Sequence, residues 1–176
     1  MATQVLREET PRQQAKLVAK FLRIADKLFT MRNYSSCVEI LSGLSNVAVQ
    51  RLKKLQKHLD QKSIERFDRL GNYFDPVSGY ANYRHLSFDF PCLHLYSVPL
   101  RTLTLVEEGN PRFLDEAEQV ICFSRLTMVA ECIEKLQLYQ PGCTEYNFEP
   151  NMLVTEWLRQ VRRFSFSFRF IYSHML

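Results

Sequence analysis

Apolar residues recur along most of this chain at helical spacing. Leu17, Phe21, Ala25 and Leu28 stand four and three apart, and Val18, Leu22 and Phe29 widen the stripe. The pattern predicts a helix from about residue 13 that packs on more than one side. Residues 1–12, mostly polar up to Pro11, are expected to form a flexible N-terminus. Asn33-Tyr34-Ser35 interrupts the first run, and Ser36 with Glu39 has the spacing of a capping box. Cys37, Val38, Ile40 and Leu41 then form a short buried helix, which Gly43 can end in the left-handed conformation. Ser45 or Asn46 is placed to cap the next helix, whose seam is Ala48, Leu52, Leu55 and Leu59. A further helix is expected over 63–74, with Ile64, Phe67 and Leu70 inward, then a turn at Asp75-Pro76 and a short helix near 78–86.

The second half is punctuated by proline. Residues 92–98, between Pro91 and Pro99, could pass for a short strand. Pro99 suits the first turn of a helix, because its missing N–H is harmless there. Leu100, Leu103 and Val106 carry that helix to Glu108, where Gly109-Asn110-Pro111 stops it. The longest helix is expected over 114–139, with Ala117, Ile121, Met128, Cys132, Leu136 and Tyr139 inward. Two helices joined so tightly predict an antiparallel helical hairpin over about 99–139, projecting from the body. A last helix is expected over 150–162, with Leu153, Val154 and Trp157 available for packing. Beyond it Phe164, Phe166, Phe168 and Phe170 alternate with other residues at period two, which fits no face of a helical bundle. There is no internal repeat, and strand-like segments are too few to build a sheet. The fold expected is all-α: an irregular orthogonal helical domain with a protruding antiparallel helical hairpin.

Composition adds boundaries. A length of 176 residues suits one domain, and 46% hydrophobic with 24% charged residues is globular. A net charge of +4 is too small a surplus to argue for nucleic acid. The basic cluster Arg51, Lys53, Lys54 and Lys57 reads as a solvated helix face. None of the five Cys forms a C-x-x-C pair or stands at zinc-ligand spacing from a His, so buried thiols are expected, with no metal and no cofactor. With neither a leader-like start nor an apolar run of about 18 residues, the expected location is cytoplasmic, with at most peripheral recruitment to a membrane.

Covalent chemistry has little to stand on. There is no phosphate-binding glycine loop and no metalloprotease or calcium motif. The four His are scattered, and His94, between Leu93 and Leu95, reads as a core side chain. Neither a hydrolase nor a transferase site is visible. The most distinctive polar segment is Glu107-Glu108-Gly109-Asn110-Pro111. Two acids at the C-terminal end of a helix oppose its dipole, at a cost of some tenths of a kcal/mol each. A protein carries such a cost either trivially or because those acids meet a partner.

Several blocks together resemble a known family. Phe21-Leu22-Arg23-Ile24-Ala25, Asn33-Tyr34-Ser35-Ser36 and Ile40-Leu41-Ser42-Gly43-Leu44 are followed by 49–55, then by Asn82-Tyr83-Arg84 and Pro91-Cys92. Glu107 to Pro111 comes next, then Phe123-Ser124-Arg125, Val129-Ala130-Glu131 and Gln140. In order and spacing these are similar to the catalytic domain of Ras-family guanine-nucleotide exchange factors, the RasGEF domain, over about 15–160. The resemblance implies a helical bowl whose hairpin wedges apart the switch regions of a Ras-, Rap- or Ral-like small GTPase. It distorts the magnesium and phosphate sites there without covalent chemistry, so the domain is an exchange catalyst with no metal of its own. Glu108 matches the acid that helps displace the phosphate-binding arrangement, Thr104 the side chain toward the magnesium site, and Asn110 the residue that supports the hairpin. Leu100, Glu107 and Arg125 are the implied GTPase contacts, and the domain is expected to be monomeric.

The match departs at His94, Ser97, Pro99, Thr102 and Cys122, where the family has proline, glycine, an apolar or aromatic residue, an acid or amide, and asparagine. Family domains also begin earlier and extend beyond Trp157-Leu158. The expectation is therefore a partial domain over 13–160, truncated at both ends, with a divergent tail over 161–176. Two alternatives stand beside catalysis: an inactive interaction or scaffold protein of the same fold, and a non-functional truncated isoform. Membrane contact through the tail is the weakest option, because alternation at period two makes a poor amphipathic helix.

Overall fold

The computed structural model describes residues 1–157 and 159, apart from 87, 88, 116, 118 and 145. It falls into two units, 1–145 and the residues from Tyr146 onward. The first unit is mostly helical and irregular. The expected loose start is instead α1 (Ala2–Arg7), which buries Val5 completely. Its apolar residues are Ala2, Val5 and Leu6, too short a run to carry a periodic signal, and for that reason the helix was not legible.

Helix α2 (Pro11–Thr30) begins two residues earlier than the spacing predicts. Thr10 and Gln13 form a capping box: the Gln13 N–H donates to Thr10 Oγ1 at 3.3 Å, and the Thr10 N–H donates to Gln13 Oε1 at 3.2 Å. Its most buried line is Ala15, Val18, Leu22 and Ala25, with Leu17, Phe21, Leu28 and Phe29 packed beside it. Helix α3 (Tyr34–Leu44) is capped by Asn33, whose side chain accepts from the Ser36 N–H at 3.0 Å, and not by Ser36 as expected. Nor does Gly43 end it. The helix runs on to Leu44, and Gly43 gives room to the Met1 side chain, whose Cε would lie 3.0 Å from an added Cβ.

The single helix expected next divides into α4 (Val47–Gln50), capped by Asn46 as anticipated, and α5 (Lys53–Gln56). Each half drives one side chain into the core, Val49 and Leu55. Residues six apart lie about 240° apart around one continuous helix, so the chain must re-aim between them. Helix α6 (Gln61–Tyr73) turns Leu70 inward as expected, but buries Ser63 where Ile64 was anticipated. Asp26 of α2 pairs with Arg66 at 3.2 Å and with Arg69, tying α6 to α2.

An aromatic cluster of Phe29, Tyr34, Tyr73, Phe74 and Tyr83 fills the centre, with ring centroids 4.9 to 6.2 Å apart. Tyr83 comes from the short α7 (Ala81–Arg84). The ambiguous segment after Pro91 hangs on this core. Leu93 makes an isolated parallel bridge to Asn33: the Leu93 N–H donates to Arg32 O at 2.9 Å, and the Tyr34 N–H donates to Leu93 O at 2.9 Å. Two residues on, the Leu95 N–H donates to Tyr83 Oη at 3.0 Å. Gly142 closes against the same segment. The Cys92 N–H donates to Gly142 O at 3.1 Å, and an added Cβ would sit 2.6 Å from the Phe90 ring and 2.8 Å from Cys92 O. Cys37 and Cys92 are fully buried, and burial pushes their thiols up to about 12 and about 11, which agrees with inert core cysteines.

From there α8 (Ser97–Gly109) starts with Pro99 in its first turn, buried beside Val98. Helix does not resume at 114. Strands β1 (Phe113–Asp115) and β2 (Val120–Ile121) pair antiparallel, and only then does α9 (Phe123–Tyr139) run to a 3-10 turn at Pro141–Cys143. The intervening residues have helix-favouring side chains, hence the expectation. But the Asp115 carboxylate accepts from the Ala117 N–H at 2.8 Å, offering the backbone a turn in place of a helix. The Cys122 N–H then donates to Arg112 O at 3.1 Å and closes the β-hairpin. Of the inner positions predicted for the longest helix, Cys132 is buried, while Ile121 and Met128 are exposed. The protruding helical hairpin expected over about 99–139 is thus not seen: α8 and α9 pack on one another, but the hairpin between them is a short antiparallel β-hairpin.

In the second unit a short helix covers 152–157, with the Val154 N–H donating to Asn151 Oδ1 at 3.1 Å. The expected helix end near 162 and the tail over 161–176 lie outside the described residues. No helix among the described residues is long and apolar enough to cross a membrane.

Candidate functional site

Helix α8 has two unlike sides. Val98 and Pro99 are buried, and Thr102, Leu103 and Val106 are half-buried. Leu100, Thr104 and Glu108, four residues apart, are exposed and line one outward stripe. The spacing was available in the sequence, but it required knowing which side of the helix faces out.

The helix ends as its polar residues dictate. Asn110 is extended (φ −128°, ψ 133°), and its Nδ2 donates to Val106 O at 3.0 Å, satisfying a carbonyl that the helix leaves open. The stop comes from Asn110 and Pro111, since Gly109 is not left-handed. This contact is local to the end of α8, from Asn110 back to Val106.

The two neighbouring acids diverge. Glu107 accepts from the Arg125 guanidinium of α9. The Arg125 side chain is only 14% exposed, against 49% for Glu107. Glu108, next in sequence, is exposed and makes no hydrogen bond or ion pair among the described residues. Two residues assigned by resemblance to partner contact, Glu107 and Arg125, thus meet each other, while Leu100, Thr104 and Glu108 face solvent together. The Thr104 hydroxyl donates to Leu100 O at 3.2 Å, back along its own helix.

At the other end of the helix pair, His94 is 2% exposed and stacks flat on Tyr139, the last residue of α9, with centroids 3.6 Å apart and planes inclined by 6°. Tyr96 meets the same ring edge-on. Burial pushes the His94 imidazole down to about 4, so it is neutral at pH 7. Helix α9 is thus held at both ends, by the Arg125 ion pair to Glu107 of α8 and by the stack of Tyr139 on His94 in the segment just before α8. Neither contact was legible in the sequence, because each joins residues far apart along the chain. Cys122, where the family has asparagine, stands at the N-cap of α9. Its Sγ lies 3.3 Å from Ser124 Oγ, and this hydroxyl lowers the thiol's pKa.

The family model described as the RasGEF domain matches residues 1–127, from α1 through the β-hairpin into the first turn of α9. The match begins before residue 15, in keeping with the burial of Val5. "Ras guanine nucleotide exchange factor Y" of Dictyostelium discoideum is 33% identical over 164 residues, covering 92% of this chain and 10% of the relative. "Ras-specific guanine nucleotide-releasing factor 1" of Rattus norvegicus is 28% identical over 160 residues, covering 90% and 12%. "RAS guanyl-releasing protein 2-B" of Xenopus laevis is 28% identical over 137 residues, covering 75% and 23%. The chain spans about a tenth of the length of the first two relatives. With the motif blocks in order and more than half the chain matched, it belongs to the RasGEF domain family.

Proposed function

We propose that this domain promotes GDP release from a Ras-like small GTPase, and that the α8–α9 pair is the element it inserts at the switch regions. One observation carries the reading: Leu100, Thr104 and Glu108 form a single exposed stripe that ends in a carboxylate with no partner among the described residues. A GTPase holds its nucleotide through magnesium and phosphate electrostatics inside closed loops. Apolar contact through Leu100 seats the helix, Thr104 occupies the side facing the metal position, and Glu108 competes for the cationic groups that hold phosphate. Each of these interactions favours the open, nucleotide-poor GTPase over the closed one, so the barrier to release falls through differential binding. The carboxylate serves best if it is not already engaged; among the described residues Glu107 is paired, with Arg125, and Glu108 is not.

The test is release of a fluorescent guanine nucleotide from a panel of Ras-, Rap- and Ral-like GTPases. The chain should accelerate release from at least one of them, and Glu108→Ala should remove most of that acceleration, on the order of tenfold or more, with little change in thermal unfolding. A monodisperse sample that accelerates none of the panel at high concentration would overturn the reading. A GTPase complex formed without release would mark an interaction protein.

A further inference from the structure

We infer that Arg125 is a positioning residue for exchange: it secures Glu107 so that Glu108 alone is presented to the partner. The inference rests on the reading just given. Adjacent residues on a helix point about 100° apart, so fixing one sets the direction of the next. Left alone, two acids on the last turn of α8 repel each other and the helix C-terminus, which favours fraying of that turn. The Arg125 guanidinium, held mostly out of water in the first turn of α9, supplies the opposing charge from across the helix pair. It ties the last turn of α8 to α9, while the Asn110 bond to Val106 O closes that turn on itself.

The geometry favours position over stability. Arg125 Nε is buried with no hydrogen-bond acceptor, so the desolvation of the guanidinium is only partly offset by Glu107. A pair kept for net stability would have that nitrogen satisfied. Glu107 is half-exposed and can be rehydrated, so removing the arginine strands no buried charge. Arg125→Gln is therefore the cleaner perturbation. Reversing the pair, Glu107→Arg with Arg125→Glu, places a cation at a helix C-terminus and an anion at a helix N-terminus, each favoured by its dipole.

The experiment has one arm that needs no GTPase. Hydrogen–deuterium exchange of the free chain should show the amides of 106–110 and 112 losing protection about tenfold in Arg125→Gln, with the reversed pair restoring it. Amides of α2 and α6 serve as an unchanged internal control. In the nucleotide-release assay, the maximal rate should fall about tenfold in Arg125→Gln, with a smaller change in the half-saturating concentration, and the reversed pair should recover most of the rate. Unchanged protection of 106–110 and 112 in Arg125→Gln would overturn the inference. So would restored protection without restored release, because the arginine would then be needed as a direct partner contact. If the unsubstituted chain releases no nucleotide, the proposed function fails, and the protection arm still decides whether Arg125 fixes the acidic corner.

Discussion

His94 gives the sharpest quantitative test of the fold beneath the site. It lies at 2% exposure against Tyr139, and burial pushes its imidazole from an ordinary 6.5 down to about 4. The folded state binds the proton less readily than the unfolded chain. Nothing is lost above pH 6.5, stability falls as pH drops from 6.5 toward 4, and below 4 both states are protonated and the loss levels off. A shift of this size corresponds to roughly 3 kcal/mol in full, of which about 2.5 kcal/mol is lost between pH 7 and pH 4.5. That is a large share of the ~5–15 kcal/mol that holds a typical domain together. The perturbation is His94→Phe, which keeps a flat ring against Tyr139 and removes the titrating group. Urea unfolding by far-UV circular dichroism, at half-unit steps from pH 7 to pH 4.5, gives both stability curves. The curves should diverge, with the unsubstituted chain falling about 2.5 kcal/mol further than the variant. Asp60 and Asp75, held below the usual carboxylate range by Ser63 and by the Val77 N–H, lose their contributions at lower pH in both proteins and cancel in the difference. Parallel curves would refute the reasoning, because a histidine that costs nothing to protonate is not buried as described.

Other outcomes follow from local geometry. Cys122 stands at the N-cap of α9 without a capping side-chain bond, so Cys122→Asn should stabilise the chain by about 1 kcal/mol, read as a higher unfolding midpoint. An added methyl at Gly142 meets the Phe90 ring and the backbone carbonyl of Cys92, so Gly142→Ala should destabilise by about 1–3 kcal/mol in the same assay. Gly71, inside α6 with nothing within 4 Å of an added Cβ, should behave oppositely, with Gly71→Ala raising stability by about 0.5–1 kcal/mol.

The helices that could be read from sequence are those whose apolar periodicity is long enough to outvote local noise. Helix α2 has that length, and both faces of its stripe pack into the core. The early start at Pro11 was also written in the chain, since Thr10 and Gln13 have capping-box spacing. The flanking polar residues concealed it. Where reading failed, tertiary demands overrode local pattern. Val49 and Leu55 pull the chain apart into two short helices, because both reach the same core from incompatible angles. Residues 114–121 have helix-compatible composition, yet the hydrogen bonds of a β-hairpin and the Asp115 turn prevail.

The site divides along the same line. Glu108 and Asn110 stand out because residues 107–111 form a contiguous motif, Leu100 and Thr104 could be singled out only through the family resemblance, and the helix displays Leu100, Thr104 and Glu108 at one spacing. What no contiguous motif can reveal is which of two adjacent acids is already engaged. Glu107 and Glu108 are identical in side chain and neighbours in sequence, and both carry the same unfavourable relation to the helix dipole. Only the approach of Arg125 from α9, 18 residues later, separates them. An exposed surface with two equivalent acids could present either one, in any rotamer, to a partner. On the proposed function, engaging the first in the chain's own structure would remove that ambiguity before binding and lower the ordering cost when the partner arrives. The same logic applies to the His94–Tyr139 stack at the far end of the pair. If the α8–α9 pair inserts as proposed, its helices must not slide on each other, and two contacts of different chemistry oppose sliding: the Glu107–Arg125 ion pair at one end, and at the other the stack of Tyr139 on His94, just before α8. Loss of either join should therefore reduce exchange more than it reduces GTPase affinity.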